Sequence, residues 1–160
     1  MAVRDILGHY TFREPQTEEK ILEIAESILQ RRLERIGSLT SPEESARFLR
    51  MRLAHLGHEE FHAVWLDNRH SVLAVERLFR GTIDGASVHP REVVKHALRW
   101  NAAAVIFSHN HPSGNPEPSA ADRAITLRLR EALELVDVRV LDHIIVSASG
   151  TTSMAQRGQC

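Results

Sequence analysis

The stretch from Ala102 to Asp122 constrains this chain more than any other. Residues 102–107 (AAAVIF) are short and apolar, and they run directly into Ser108-His109-Asn110-His111 before Pro112 intervenes. An apolar run this brief, closed by a proline, reads as a buried central strand rather than a helix. Along a strand, residues i and i+2 share a face, so His109 and His111 can converge on one ion. A polar loop, Pro112 to Pro118, then reverses the chain. Ser119 opens a helix, with Asp122 in its first turn and Ile125, Leu129, Ala132, Leu133 and Val136 along one side.

Two imidazoles and a carboxylate would leave the fourth tetrahedral position of a zinc ion open for water, the pattern of catalytic rather than structural sites. Water on such an ion has its pKa lowered to roughly 7. Composition narrows the choice of ligands. The chain has ten histidines but one cysteine, Cys160 at its last position, so no internal disulfide or thiolate cluster is available. Each element also has a plainer meaning. Most His-x-His pairs are surface or packing residues, and Ser119-Ala120-Ala121-Asp122 can be a capping box with aspartate in place of glutamate. Capping and ligation are compatible, because one carboxylate oxygen can cap while the other faces a metal. The full set at this spacing is far more specific than any part of it.

The remaining chain frames that segment. Its 160 residues are the length of a single domain. Residues 1–16 show no clear period and read as an extended arm. Thr17 to Ile36 carries Ile21, Ile24, Ala25, Ile28 and Leu29 at helical spacing, with Thr17 as N-cap and Gly37 as C-cap. Ser41-Pro42-Glu43-Glu44 announces a second helix, lined by Ala46, Leu49, Leu53 and Leu56 and closed by Gly57. Phe61 to Leu66, a turn at residues 67–70, and Ser71 to Phe79 form a hairpin. After a loop from Gly81 to Gly85, Pro90 opens a third helix that ends at Asn101. Val138 to Ser147 is the last strand. Helices followed by strand, helix, strand, helix and strand predict an α/β sandwich around a mixed sheet.

The segment His109-Asn110-His111-Pro112-Ser113-Gly114, followed by Pro118-Ser119-Ala120-Ala121-Asp122, resembles the JAMM (JAB or MPN) metalloprotease motif in its RadC-like form. Residues 78–82 (LFRGT), 90–94 (PREVV) and 141–145 (LDHII) extend the similarity, which runs from about residue 38 to 150. The resemblance implies a three-layer-like, cytidine-deaminase-like α/β fold: a mixed sheet flanked by helices, with an N-terminal helical extension. It divides the chain into an arm and helix over 1–37 and a RadC-like JAMM domain over 38–160. It also implies Zn2+ held by His109, His111 and Asp122, with Ser119 hydrogen-bonding the oxyanion or the attacking water. The family's glutamate, a general base, falls at Glu59, with Glu60 and Glu76 as rivals. Larger RadC-like proteins carry a further N-terminal helix-hairpin-helix region that looks absent or cut short here.

Other matched residues invite duller readings. Arg91 and Glu92 are first-turn helix residues, although an arginine there could bind a substrate carboxylate. Asp142-His143 is either a satisfied buried pair or a second hydrogen-bonding layer behind a ligand imidazole. His55, His58, His62, His70, His89 and His96 read as surface or packing residues, and Arg31, Arg32 and Arg35 as a solvated helix face.

The expected function is a zinc-dependent metallopeptidase or isopeptidase cleaving an amide bond, on a protein or peptide substrate that includes ubiquitin-like conjugates. The competing reading is a non-catalytic JAMM-fold binding module in a DNA-repair or mobile-element system. A metal-dependent nuclease would need more carboxylates beside the histidines. Twenty basic against twenty-one acidic side chains argue against strong non-specific nucleic-acid binding, despite the DNA-repair label that RadC-like proteins carry. No signal-peptide core and no apolar stretch of roughly 18–20 residues is present, so no membrane partner is expected and the expected setting is cytoplasmic. The hairpin leaves room for a homodimer.

Overall fold

The computed structural model describes residues 2–4, 10–12, 14–36, 41–81 and 87–160. Strands β1 (Ala2–Arg4) and β2 (Tyr10–Phe12) pair antiparallel as a separate two-stranded sheet. The sequence reads this segment as an unpatterned arm, because strands of three residues are too short to display a period. Helix α1 (Glu18–Ile36) begins where expected, with Thr17 Oγ1 accepting the Lys20 N–H at 3.2 Å. Gly37, its expected C-cap, lies outside the described residues, as does most of the loop from Gly81 to Gly85. Helix α2 (Pro42–Leu53) is capped by Ser41 and ends before Leu56 and Gly57, because Leu56 N–H turns tightly onto the Leu53 carbonyl.

The main sheet contains β3 (Glu60–Leu66), β4 (Val72–Arg80), β5 (Ala104–Asn110), β6 (Arg139–Val146) and β7 (Thr151–Ser153), in the order β4-β3-β5-β6-β7. Among the described strands only β5 and β6 run parallel, with α4 (Ala120–Glu134) connecting them; the other pairings are antiparallel. Strand β5 starts at Ala104 rather than Ala102 and runs through Asn110, with β3 and β6 flanking it on both sides, in keeping with the strand placement expected for His109. One expectation changes: residues 138–147 do not hold the last strand. The chain turns at residues 147–150 and adds β7, whose Thr-Thr-Ser sequence has no apolar alternation to reveal it.

Helices cover both faces of the sheet. On one side, Leu29 of α1 and Phe48, Leu49 and Leu53 of α2 pack on Val64, Leu66, Ile106, Ile144 and Val146. On the other, Val93 and Ala97 of α3 (Pro90–Arg99) and Leu129 and Leu133 of α4 pack on Phe61, Ala63, Trp65, Val105 and Phe107. Burial on both faces explains why the central strands read as continuous apolar runs. Asn101 ends the α3 segment with φ 50°, a left-handed conformation that asparagine tolerates after a helix. The result is a three-layer arrangement with a mixed sheet, as the sequence implies. Among the described residues, no helix is long and apolar enough to cross a membrane.

Candidate metal centre

Strand β5 carries its polar residues to the end of the sheet. Val105, Phe107 and His109 share the face covered by α3 and α4, while Ser108 and Asn110 lie on the other. His109 Nε2 and His111 Nε2 stand 2.9 Å apart. The N-terminus of α4 brings in Asp122, with Oδ1 3.1 Å from His109 Nε2 and Oδ2 3.3 Å from His111 Nε2. Ligand atoms of these three residues all lie within 4.8 Å of one another, the one such group among the described residues.

Local structure prepares this convergence. Ser119 and Asp122 form a reciprocal capping box: Ser119 Oγ accepts the Asp122 N–H at 3.0 Å, and Asp122 Oδ2 accepts the Ser119 N–H at 2.7 Å. This use of the serine leaves its own hydroxyl proton available to another acceptor. The intervening loop is held by the His111 N–H on the Val146 carbonyl, by Ser149 Oγ on the Gly114 carbonyl and by a two-bond pairing of Arg157 with Glu117. Gly114 lies in the same loop at φ 87°, a conformation suited to glycine.

The hydrogen bonds of His111 determine where its ring proton sits. Its Nδ1 lies 2.8 Å from the Asn115 carbonyl, which can only accept, so Nδ1 carries hydrogen and the Nε2 lone pair faces the cluster. Two imidazole nitrogens at 2.9 Å require a proton or a cation between them. The electrostatic surroundings of the group point the same way. The hydrogen bond with Asp122 raises the His111 pKa against the effect of burial, and the negative charge of Glu59 adds to the rise. Burial alone would raise the Asp122 carboxyl, but hydrogen bonds with His109 and His111 hold it far below the usual carboxylate range. This donor set, converging and short of positive charge, fits a divalent cation.

The three glutamates occupy different environments. The Glu59 carbonyl accepts the Gly81 N–H at 2.8 Å, continuing the β3–β4 ladder by one residue. Side-chain alternation therefore assigns Glu59 to the face of Phe61 and His109, and Glu60 to the opposite face with His62. Glu60 is buried and bonded to His58 at 2.8 Å, His62 at 2.7 Å and Arg77 at 3.4 Å. Burial opposes its ionisation, yet the hydrogen bonds from His62 and His58 bring its pKa down to about 2. Glu76 instead accepts from the Trp65 indole at 2.8 Å and engages His96 Nδ1 at 3.0 Å.

Asn110 and Thr126 matter locally but are not singled out by sequence patterns. Asn110, between the two histidines, accepts the Glu60 N–H and donates to the His58 carbonyl, each at 2.8 Å. The Asp142-His143 pair divides across the sheet. Asp142 accepts from Ser153 Oγ at 2.6 Å and from the Ala155 N–H at 3.0 Å, whereas His143 Nε2 meets His109 Nδ1 at 2.7 Å. Asp142 is thus a satisfied buried residue, and His143 is the partner of the His109 imidazole. Thr126 completes the contact, with Oγ1 2.6 Å from His143 Nδ1. Its only sequence signal is its place four residues after Asp122 on α4. Glu92 pairs with Lys95 on the surface of α3, and Arg91 is exposed.

A family model described as RadC-like JAB domain matches residues 39–159. The chain belongs to the RadC-like JAB domain family. Its metal-capable triad occupies the His-x-His and Asp positions of the motif. A UPF0758 protein of Vibrio cholerae is 52% identical over 149 residues, covering 93% of this chain and 94% of that protein. UPF0758 proteins of Thioalkalivibrio sulfidiphilus and Nitrosococcus oceani are 57% and 60% identical, over 88% and 86% of this chain. The chain spans 62% and 61% of those two relatives, so this JAB domain corresponds to part of a longer chain in them.

Proposed function

We propose that the site holds a zinc ion and hydrolyses an amide bond in a protein or peptide substrate. The observation that supports this reading is the convergence of His109 Nε2, His111 Nε2 and Asp122, with two nitrogens 2.9 Å apart beside a carboxylate. Zinc held by these three residues would polarise the scissile carbonyl and lower the pKa of water to about 7. Glu59 takes the proton of the attacking water and delivers it to the amine as the carbon–nitrogen bond breaks. Ser119, with its oxygen anchored on Asp122 and its proton free for donation, stabilises the charge growing on the carbonyl oxygen. The loop bonds through Gly114, Asn115 and Glu117 hold His111 in place during this sequence.

Elemental analysis of the purified protein tests the reading. About one zinc ion per chain is expected, with loss of the metal in His109→Ala and Asp122→Ala. A folded wild-type protein that takes up no divalent metal, or His109→Ala with unchanged metal content, would overturn it.

A further inference from the structure

Behind His109 lies a chain of hydrogen bonds whose direction follows from the chemistry of its last member. Thr126 Oγ1 is 2.6 Å from the Asp122 main-chain carbonyl, which can only accept. The single hydroxyl proton of Thr126 therefore points back along α4. The other acceptor near it, Met154 Sδ at 3.7 Å, would leave the same consequence. In either case Thr126 presents a lone pair, and not a proton, to His143 Nδ1 at 2.6 Å.

His143 must then donate from Nδ1. Its ring is fully buried against Phe61 and Phe107, and its nitrogens face a hydroxyl and another imidazole rather than a carboxylate. Such a ring is neutral and carries one proton, so Nε2 is an acceptor. His109 Nδ1, at 2.7 Å, supplies the hydrogen. Nε2 of His109 is thereby the nitrogen turned toward His111 and Asp122, at the position where a proton or a cation must sit.

We infer that Thr126 and His143 are positioning residues that fix the His109 tautomer, coupling the ligand imidazole of β5 to the helix that delivers Asp122. The geometry makes one unit of the two ligands. Asp122 provides its carboxylate to the cluster and its carbonyl to Thr126, one helical turn later, and the chain returns through β6 to His109. Thr126, His143 and His109 are 1%, 0% and 2% exposed, so water does not compete for any of these bonds. The consequence for metal affinity rests on the proposed metal site, but the tautomer itself does not.

Nitrogen-15 NMR of the histidine rings in metal-free protein reads the tautomer directly. His109 and His143 are both expected with hydrogen on Nδ1, and wild-type His109 protonated on Nε2 alone would overturn the inference without any variant. Thr126→Val removes the acceptor while keeping the side-chain volume, and it should shift His143 and His109 toward hydrogen on Nε2. Zinc affinity, measured by chelator competition, should fall 10–100-fold in Thr126→Val and recover in Thr126→Ser. A folded Thr126→Val protein with an unshifted tautomer and zinc affinity within twofold of wild type would also overturn it. If wild-type protein bound no zinc while the ring signals behaved as described, the proposed function would fail and this inference would stand.

Discussion

Asn110 grips the chain on both sides of Glu59. Its side-chain amide accepts from the Glu60 N–H and donates to the His58 carbonyl, both at 2.8 Å, while its own backbone belongs to the strand that carries His109. The peptide that bears the proposed base is thus tied to the peptide that bears the proposed metal ligands. Asn110→Ala should leave two main-chain groups without these partners, costing about 1–3 kcal/mol of stability. In the folded variant, zinc content should persist while turnover falls. Parallel metal analysis and peptide-hydrolysis assays would check this, and unchanged turnover would mean that the brace has no bearing on the base.

Glu59→Gln should retain the fold and the metal but lose about 10²–10⁴-fold in turnover, the usual contribution of a positioned proton acceptor. Glu60→Gln should act differently. It weakens the buried cluster with His58, His62 and Arg77, so denaturation should reveal the change more clearly than turnover does. A rate that depended on Glu60 and not on Glu59 would transfer the base to the opposite face of β3.

The Glu60–His62 pair predicts a specific acid response. Burial, opposed by the hydrogen bond with Glu60, brings His62 from 6.5 down to about 4. Between those values the unfolded chain takes up a proton that folded His62 does not, so stability falls as pH drops through this window. One proton of difference corresponds to about 1.4 kcal/mol per pH unit at most. Glu60 acts lower down: its contribution is complete above 4.5 and is lost as pH falls through about 2. Urea denaturation followed across this range should show a shallower slope from pH 6.5 to 4 in His62→Gln than in wild type. Equal slopes would refute the assignment.

Asp142 has a structural task that separates it from its neighbour. Its carboxylate holds Ser153 and Ala155, and with them the end of β7 beside buried Met154. Asp142→Ala should cost about 1–3 kcal/mol, and amide exchange should accelerate first over residues 152–157. Zinc affinity should change much less than in Thr126→Val, despite the adjacency of Asp142 and His143.

Much of this architecture was legible in local sequence. The period of α2, the proline and cap at Ser41-Pro42, and the apolar runs of β3 and β5 each report burial that neighbouring residues share, whereas the period of α1 marks the helix but leaves Ile21 exposed. The spacing His109-x-His111 and the cap Ser119-x-x-Asp122 likewise marked the centre, because strand alternation and helix capping are short-range geometry. Strands β1, β2 and β7 were not legible, since three residues carry too little pattern and depend on pairing across a turn.

By itself the sequence determined which side chains could meet at the end of β5 and what chemistry their types allow. Tertiary structure decided their surroundings. It separated Glu59 from Glu60 across the two faces of β3, tied the His58–Glu60 segment to Asn110, and laid His143 of β6 against His109 of β5. Those relations join residues remote in sequence, through register and helix packing. A proton's place on an imidazole follows from the acceptor opposite it, and that acceptor is known only once the sheet and α4 have come together.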